Sequence, residues 1–447
     1  MRIVWIALLI IINIVPSSAG EWKVNAGVAQ DVSYDDNVIM RGDDLPINDD
    51  DPNEPPKNDT RASLIYKVTP SLNLSHKTDV SDVSAFASYG VQRYFDIKKF
   101  DRNHQNYGIR GQYNTERSSW GLGSSYSVTP SRDTAQKESG DFDTDAERKS
   151  FSISPSVSYK ITQQDSLSFL TQYTNTRYSI NDFDRKELTD EKCTSALFNA
   201  NKLDTSCNFS DYDVINLKLL WSREWSERYI SSLDVFYTNF KSSKIITDED
   251  ELKSHTGGAN ITSTYIFSES LDLFGTVGLR VTKSKDTTNR SFIIPANPED
   301  PDSIDKFSTR EGSNELGWLL NVGANYHDDN WETEFVVYHG LEPSSQGGLL
   351  DQTKVSIDLR YDFTERLYAT LLSDYQISKP HDGENERTNI TFRPELSWML
   401  NPEWTLSTSY RYRYQKRFLR SNEEEEADSN LYMLSINYRW QGLNIAR

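Results

Sequence analysis

The chain has 447 residues, 36% hydrophobic, 12% aromatic and 26% charged, and a net charge of −19. That aromatic content exceeds what a disordered chain carries. A mean hydropathy of −0.67, with one long apolar run (residues 3–15) shorter than the roughly 20 residues a spanning helix needs, speaks against a helical membrane protein. The acidic balance gives phosphate backbones nothing to bind, so no nucleic-acid partner is expected.

The first 19 residues read as a secretory signal peptide: Arg2 supplies the positive start, Val4 opens an apolar core that runs to Val15, and Ser17-Ser18-Ala19 forms a small-residue cleavage site. The mature chain would then begin at Gly20 and run to Arg447 as one domain. From there the sequence alternates apolar and polar residues in segments of roughly ten, the two-residue period of a strand with two different faces. Trp22, Val24, Ala26, Val28, Val32 and Tyr34 set the beat. Leu64, Tyr66, Val68, Pro70, Leu72 and Leu74 repeat it, as do Phe151, Ile153, Pro155, Val157 and Tyr159. It returns in Leu316 to Tyr326, Val355 to Phe363 and Ile390 to Leu400, always with Ser, Thr, Asn, Lys, Asp or Arg between. Each strand therefore has a greasy face and a wet one.

The connections alternate too. Short polar links (residues 162–165, 226–228, 327–330, 364–366, 401–403) follow one strand, and long acidic links (35–60, 131–149, 179–211, 284–312, 419–429) follow the next. Outer-membrane barrels are strung in this way, with tight periplasmic turns and long external loops. The segments number about eighteen, an even count that places both termini on the turn side. Aromatics such as Trp22 and Tyr34, Trp120 and Tyr126, and Trp331 fall near strand ends, as interfacial girdles do. A soluble sandwich or propeller would need a second apolar set to fill its interior. The wet face has none, so the expected fold is an all-β, transmembrane, antiparallel outer-membrane barrel in the cell outer membrane.

The wet face is where a pore would work. Inward parity collects Lys67, Lys160, Lys218, Asp234, Asp272, Arg280, Glu332, Glu334, Lys354, Arg360 and Arg393. Arg411 and Arg413, facing the carboxylates of Asp358, Asp374 and Glu395, are the candidates for a constriction; the alternative is that such charges brace the wall as ion pairs. Phe86 and Phe236 are the clearest inward aromatics. Acidic runs (Asp49-Asp50-Asp51, Asp248-Glu249-Asp250-Glu251, Glu423-Glu424-Glu425-Glu426) mark the loops. They are either solvated loop tips or sites where divalent cations bridge to lipopolysaccharide phosphates. No run has the spacing of a defined calcium loop, no cofactor motif is present, and the metal question stays open. Cys193 and Cys207, the only cysteines, fit one loop disulfide in an oxidising compartment or a pair of free thiols. His339, near Ser344 and Ser345, is the one place where a hydrolase reading can start. A triad also needs a group that orients the histidine and an oxyanion donor pair, so no enzyme is expected.

The opening Val28-Ala29-Gln30-Asp31-Val32-Ser33-Tyr34-Asp35-Asp36-Asn37 resembles the first strand and "YDDN" loop start of the family called beta-barrel porin 2. Val68-Thr69-Pro70-Ser71-Leu72-Asn73-Leu74 resembles its second strand. The ending Ile436-Asn437-Tyr438-Arg439-Trp440-Gln441-Gly442-Leu443 is similar as well, with a short tail past the last aromatic. The resemblance implies an outer-membrane component of exopolysaccharide or capsule secretion that works with periplasmic polysaccharide-export machinery. The other readings are a general diffusion porin and a closed surface or scaffold barrel. Outer-membrane lipid and lipopolysaccharide are the expected surroundings.

Overall fold

A computed structural model describes residues 20–38, 40, 62–131, 146–180, 210–244, 251–287, 314–344, 348–380, 386–418 and 424–446. The signal segment 1–19, most of the long links and both cysteines lie outside the described residues. The strands are β1 (Glu21–Asp35), β2 (Ser63–Lys77), β3 (Ser81–Tyr94), β4 (Arg102–Asn114), β5 (Ser118–Pro130), β6 (Ala146–Lys160), β7 (Asp165–Ile180), β8 (Ser210–Ser226) and β9 (Tyr229–Lys244). They continue as β10 (Glu251–Ile266), β11 (Leu271–Thr287), β12 (Asn314–His327), β13 (Trp331–Pro343), β14 (Leu349–Asp362), β15 (Leu367–Pro380), β16 (Arg387–Met399), β17 (Trp404–Phe418) and β18 (Glu424–Ala446). They form one 18-stranded sheet. Every strand pairs antiparallel with its sequence neighbours, and β1 pairs with both β2 and β18, so no edge is left for lipid to meet. With strands about 4.8 Å apart and tilted about 40°, the backbone cylinder is about 35 Å across.

Glu21 lies opposite both Ala446 and Lys77, so the two termini share the end that carries the short turns. Those turns have a common chemistry. Thr78 Oγ1 accepts from the Ser81 amide at 2.9 Å, Thr115 from Ser118 at 2.8 Å, Thr162 from Asp165 at 2.9 Å and Thr364 from Leu367 at 3.0 Å. Asn401 does the same for Trp404 at 2.8 Å. A side-chain oxygen that caps the amide three residues on closes a tight turn without glycine.

Outward positions keep the greasy parity. Tyr34 opposes Leu64, Val32 opposes both Tyr66 and Leu434, and Val24 opposes Leu74. Rings gather toward the turn end as Trp22 with His76 (4.4 Å), Trp331 with Tyr361 (4.6 Å) and Trp404 with Tyr438 (4.8 Å). Tyr410 and Tyr432 meet nearer the other end at 5.2 Å. Two aromatic levels bounding a band of exposed Leu, Val and Ile are the exterior of a membrane barrel.

Three outward prolines interrupt a ladder without opening the wall. The β2–β3 pairing passes from Val68↔Val91 to Ser71↔Ser88 around Pro70. The β6–β7 pairing skips Pro155, and the β16–β17 pairing skips Pro394. A proline lacks a donor toward one neighbour only, and Pro70 still pairs with Val28 on the other side. The closing seam carries a bulge between Val24 and Ala26 where Gly442 sits at φ +62°. The tail past Trp440 is therefore strand, paired with the start of β1.

Two expectations about loops change. β18 begins at Glu424, so most of the acidic run Glu423-Glu424-Glu425-Glu426 is strand, and Lys416 Nζ holds Glu424 and Glu426 at 2.7 and 3.4 Å. β11 likewise continues to Thr287, past the expected start of its loop. Acidic residues look loop-like by composition, but opposite a lysine on a ladder they are good strand partners.

Candidate functional site: the lumen and an inward hairpin

Inward parity puts a polar wall around the lumen. Where β5 meets β6 it is small: Ser119, Gly121, Gly123 and Ser125 face Ser158, Ser156, Ser154 and Ser152, and Ser158 bonds Ser168 of β7 at 2.7 Å. Elsewhere inward rings lie flat against the wall, because each faces a glycine on the next strand. Phe86 opposes Gly108, Phe236 opposes Gly258 and Phe274 opposes Gly323. A Cβ on any of these glycines would meet the ring within 2.6 Å. Phe274 belongs with Phe86 and Phe236, and only the cross-strand register reveals the matching glycines.

Several charged groups brace the wall. Asp234, fully buried, takes Lys218 Nζ at 3.1 Å and Asn260 Nδ2 at 2.9 Å. Arg360 bonds Asp362 at 3.0 Å and lies 4.1 Å over the Tyr368 ring. Glu395 accepts from Arg393 at 3.1 Å and from Ser397 at 3.1 Å.

Of the residues expected at a constriction, Arg411 and Arg413 against Asp358, Asp374 and Glu395, one is drawn into the wall: Arg413. All five side chains are on inward parity, but Arg413 is only 5% exposed. Its guanidinium bonds Asp35 at 2.8 Å and Ser429 at 2.9 Å, while Ser429 also donates to Asp35 at 2.7 Å. Asp35 lies two strands away across β18, a neighbour that exists only because the barrel closes. Arg413 is thus a wall brace near the top of the closing seam. Glu395 is held by Arg393, and Asp358 and Asp374 sit on β14 and β15 opposite Leu372 and Ser356.

The lumen is narrowed by a different element. The β12–β13 ladder stops at Leu320↔His339, although β12 continues to Asn314 beside β11 and β13 continues to Pro343 beside β14. Above that point the ends of β13 and β14, residues 340–343 and 349–352, part from β12 and lean into the barrel, with β14 still laddered to β15 up to Leu350↔Pro380. Leu349 packs with Tyr178, Tyr212, Val214 and Phe240, inward residues of β7, β8 and β9, and Leu341 and Leu252 close the cluster. Asp351 meets the guanidinium of Arg280, an inward residue of β11 only 2% exposed. Contacts from β14 to β7 and β11 must cross the interior, so the hairpin lies inside the lumen at its extracellular half.

Local chemistry explains the departure. The Tyr338 ring lies across Gly340, where a Cβ would sit 2.2 Å from the phenol oxygen, and the phenol donates to Glu342. Gly317, on β12 beside Arg280, leaves room for the guanidinium in the same way. His339 is the last laddered residue. Its ring stacks on Trp318 at 3.9 Å and Nδ1 bonds the Thr353 hydroxyl at 2.9 Å, so it anchors the hairpin base. Among the described residues no group of three or more His, Cys, Asp or Glu side chains is placed to hold a metal ion.

The sequence does carry a trace of this arrangement. Tyr178, Tyr212, Val214, Phe240 and Leu252 are apolar residues on the wet parity, gathered at the tops of four consecutive strands. An apolar patch on the water-facing side requires a cover.

No family model matches this chain, and no curated protein matches it. Solved outer-membrane barrels are similar to it. The outer membrane protein OpdK from Pseudomonas aeruginosa is 9% identical, covers 93% of this chain and 99% of its own, and has a TM-score of 0.43. OccAB3 from Acinetobacter baumannii is 11% identical over 94% of this chain and 99% of its own, with a TM-score of 0.40. The ferric-catecholate import receptor Fiu from E. coli K12 is 10% identical over 95% of this chain and 82% of its own, with a TM-score of 0.44.

Proposed function

We propose that the protein is a porin-like outer-membrane passage for hydrophilic material, and that the material is an exopolysaccharide during secretion. The observation that carries the first part is the pairing of an apolar exterior with a polar inner wall around a barrel of 18 strands, a size at which barrels keep an aqueous channel. Charges facing such a channel stay hydrated and avoid the penalty of burial.

The polysaccharide part draws on the resemblance to beta-barrel porin 2 and on the inner wall itself. The Ser and Gly surface where β5 meets β6 offers hydroxyls and backbone without bulk, and Phe86, Phe236 and Phe274 present flat rings on which the apolar faces of sugars stack. Periplasmic export machinery would deliver the polymer. Lipopolysaccharide would surround the outer half of the belt, with divalent cations at the acidic loops.

The test is single-channel recording of the mature protein in planar bilayers, paired with surface polysaccharide measured in a strain lacking the gene. Discrete steps together with loss of surface polymer support both parts. Steps with normal polymer leave a diffusion porin, and no steps with normal polymer leave a closed scaffold.

A further inference from the structure

On β9, β10 and β11 the outward positions above the apolar band are basic. The register sets Lys253 opposite Lys241 on one side and Lys285 on the other, and sets His255 opposite Lys283 one pleat lower on the same face. All five side chains are exposed, whereas Ser242, Ser254, Thr256 and Thr282, which alternate with them, are buried on the inner face. We propose that this cluster binds the phosphates of one phosphorylated glycolipid of the outer leaflet, with an acyl chain seated in a trough beneath it. The proposal gives the lipopolysaccharide surroundings a defined site, and it rests on the outer-membrane reading but not on solute passage.

Height selects a headgroup. Tyr265, near the turn end of β10, belongs to the lower aromatic level, where its ring meets Phe267 at 6.5 Å. At about 3.4 Å per residue and a tilt of about 40°, residues 265 to 255 climb about 26 Å, and the apolar belt of such barrels is about 25 Å tall. His255 and Lys253 therefore stand at headgroup level, at the barrel end opposite the short turns. Just below them the outward residues Val235, Tyr237, Leu279 and Val281 are exposed and offer apolar surface.

Charge points the same way. Outward bases in other sectors of this rim are paired: Lys149 with Glu147 at 3.0 Å, Arg177 with Asp213 at 2.9 Å, Lys379 with Glu386 at 2.6 Å and Lys416 with Glu424 at 2.7 Å. Among the described residues Lys283 and Lys285 have no such carboxylate, while Lys241 and Lys253 have interactions of their own. Like charges opposite one another on a ladder repel. A phosphate lying between Lys253 and Lys285, within reach of Lys283, replaces that repulsion with charge-assisted hydrogen bonds.

Shape supplies the place for a chain. Below His255 the outward residues of β10 are Gly257 and Ala259, set between Tyr237 and Val235 on β9 and Val281 and Leu279 on β11. A Cβ at Gly257 would meet only the Phe236 carbonyl oxygen, at 3.9 Å, an ordinary contact. Packing does not demand glycine there, unlike at Gly258, whose missing Cβ admits the Phe236 ring. The two small residues leave a trough between taller apolar rows, about 10 Å from strand to strand. A hydrocarbon chain in it gains dispersion contacts from both sides.

The experiment uses the full mature barrel, folded in dodecyl maltoside with EDTA, and reads the lipid retained per barrel by native mass spectrometry as lipid is titrated. The probes are bisphosphorylated lipid A, the same lipid stripped of its phosphates, and phosphatidylglycerol. EDTA removes any bridge of divalent cations between loop carboxylates and phosphate. One lipid A per barrel is expected, with the stripped lipid at least about tenfold weaker for want of a charge-assisted contact. Lys283→Gln combined with Lys285→Gln is expected to weaken lipid A by a similar factor. Gly257→Leu, which fills the trough where a Cβ has room, is expected to weaken lipid A with and without its phosphates. Lys379→Gln combined with Lys416→Gln, in another sector of the rim, is the control and leaves the affinity at the parent value. Heat-modifiable gel mobility confirms that each variant is folded. Equal retention with and without phosphates, or by the Lys283 and Lys285 variant and the parent, overturns the proposal. No retained lipid overturns it as well, and identifies Asp248, Glu249 and Asp250 of the β9–β10 link as the anions that close the cluster. Phosphatidylglycerol held as tightly as lipid A overturns the glycolipid assignment. Because no current is read, a barrel that never conducts leaves the site standing, whereas a folded barrel that fails to insert into lipid vesicles counts against the outer-membrane reading itself.

Discussion

Truncating Leu349 to alanine should free the hairpin without weakening the barrel. Leu349 is 7% exposed and is the hairpin's main apolar contact with Tyr178, Tyr212, Val214 and Phe240. Removing three side-chain carbons at about 0.8 kcal/mol each forfeits about 2 kcal/mol, before any term for the void left behind. The global unfolded state is not the relevant reference, because Leu349 lies at the tip of β14 and the contact is lost whenever the hairpin lifts. On a docked-to-lifted equilibrium, about 2 kcal/mol is about a thirtyfold shift. Single-channel recording should show openings to the full-width state about thirty times more populated than in the parent. The control is Leu316→Ala: that leucine is 71% exposed on the lipid side of β12, its truncation removes the same carbons, and it should leave dwell times unchanged. Equal dwell times in Leu349→Ala and the parent, or equal effects of the two variants, would refute the claim that the hairpin rests on this cluster.

Other consequences concern the wall. Arg413→Ala leaves the buried Asp35 carboxylate without its cation, a loss of about 3–5 kcal/mol for a broken buried pair; the thermal midpoint of gel mobility should fall while cation-over-anion selectivity stays at the parent value, and a large selectivity change would restore Arg413 to the pore. Gly442→Ala forces a left-handed residue to carry a Cβ, at about 1–2 kcal/mol, and that Cβ would sit 1.3 Å from the Val24 carbonyl oxygen. Refolding yield should drop, and parent-like yield would contradict the closing bulge. Leu434→Arg, on the lipid face, should cost about 2–4 kcal/mol near the bilayer midplane, whereas Ser154→Arg, on the wet face, should fold at parent stability; denaturant titration in lipid vesicles separates them, and the reverse order would invert the assigned faces.

The barrel was legible because strand parity survives any register. Leu64, Tyr66 and Val68 mark one face of β2 whatever their neighbours are, and the short polar links mark one end. Strand limits were less legible at Glu424 and Glu426, because composition reads acidic runs as loop and cannot know that Lys416 will stand opposite. The candidate site was legible only in part. Inward residues such as Lys218, Asp234 and Glu395 follow from parity, but their partners follow from closure. The Arg413–Asp35 pair joins positions at opposite ends of the chain, and no local pattern contains it. The hairpin hid for another reason: residues 340–343 and 349–352 carry no pattern of their own that sets their direction, and which way they lean is decided by the apolar tops of β7 to β10. Phe274 was overlooked because a flat inward ring needs its glycine, and Gly323 becomes its neighbour only through the β11–β12 register.

The central claim is that a polar lumen carries solute and the β13–β14 hairpin narrows it. Liposome swelling tests this most directly, with the parent barrel and a variant whose residues 341–351 are replaced by a short turn, over a graded series of neutral sugars from monosaccharide to tetrasaccharide. The account predicts slow, size-limited swelling for the parent and faster swelling with a larger size limit for the shortened hairpin. No swelling from either barrel, with both shown to be folded and inserted, would contradict it.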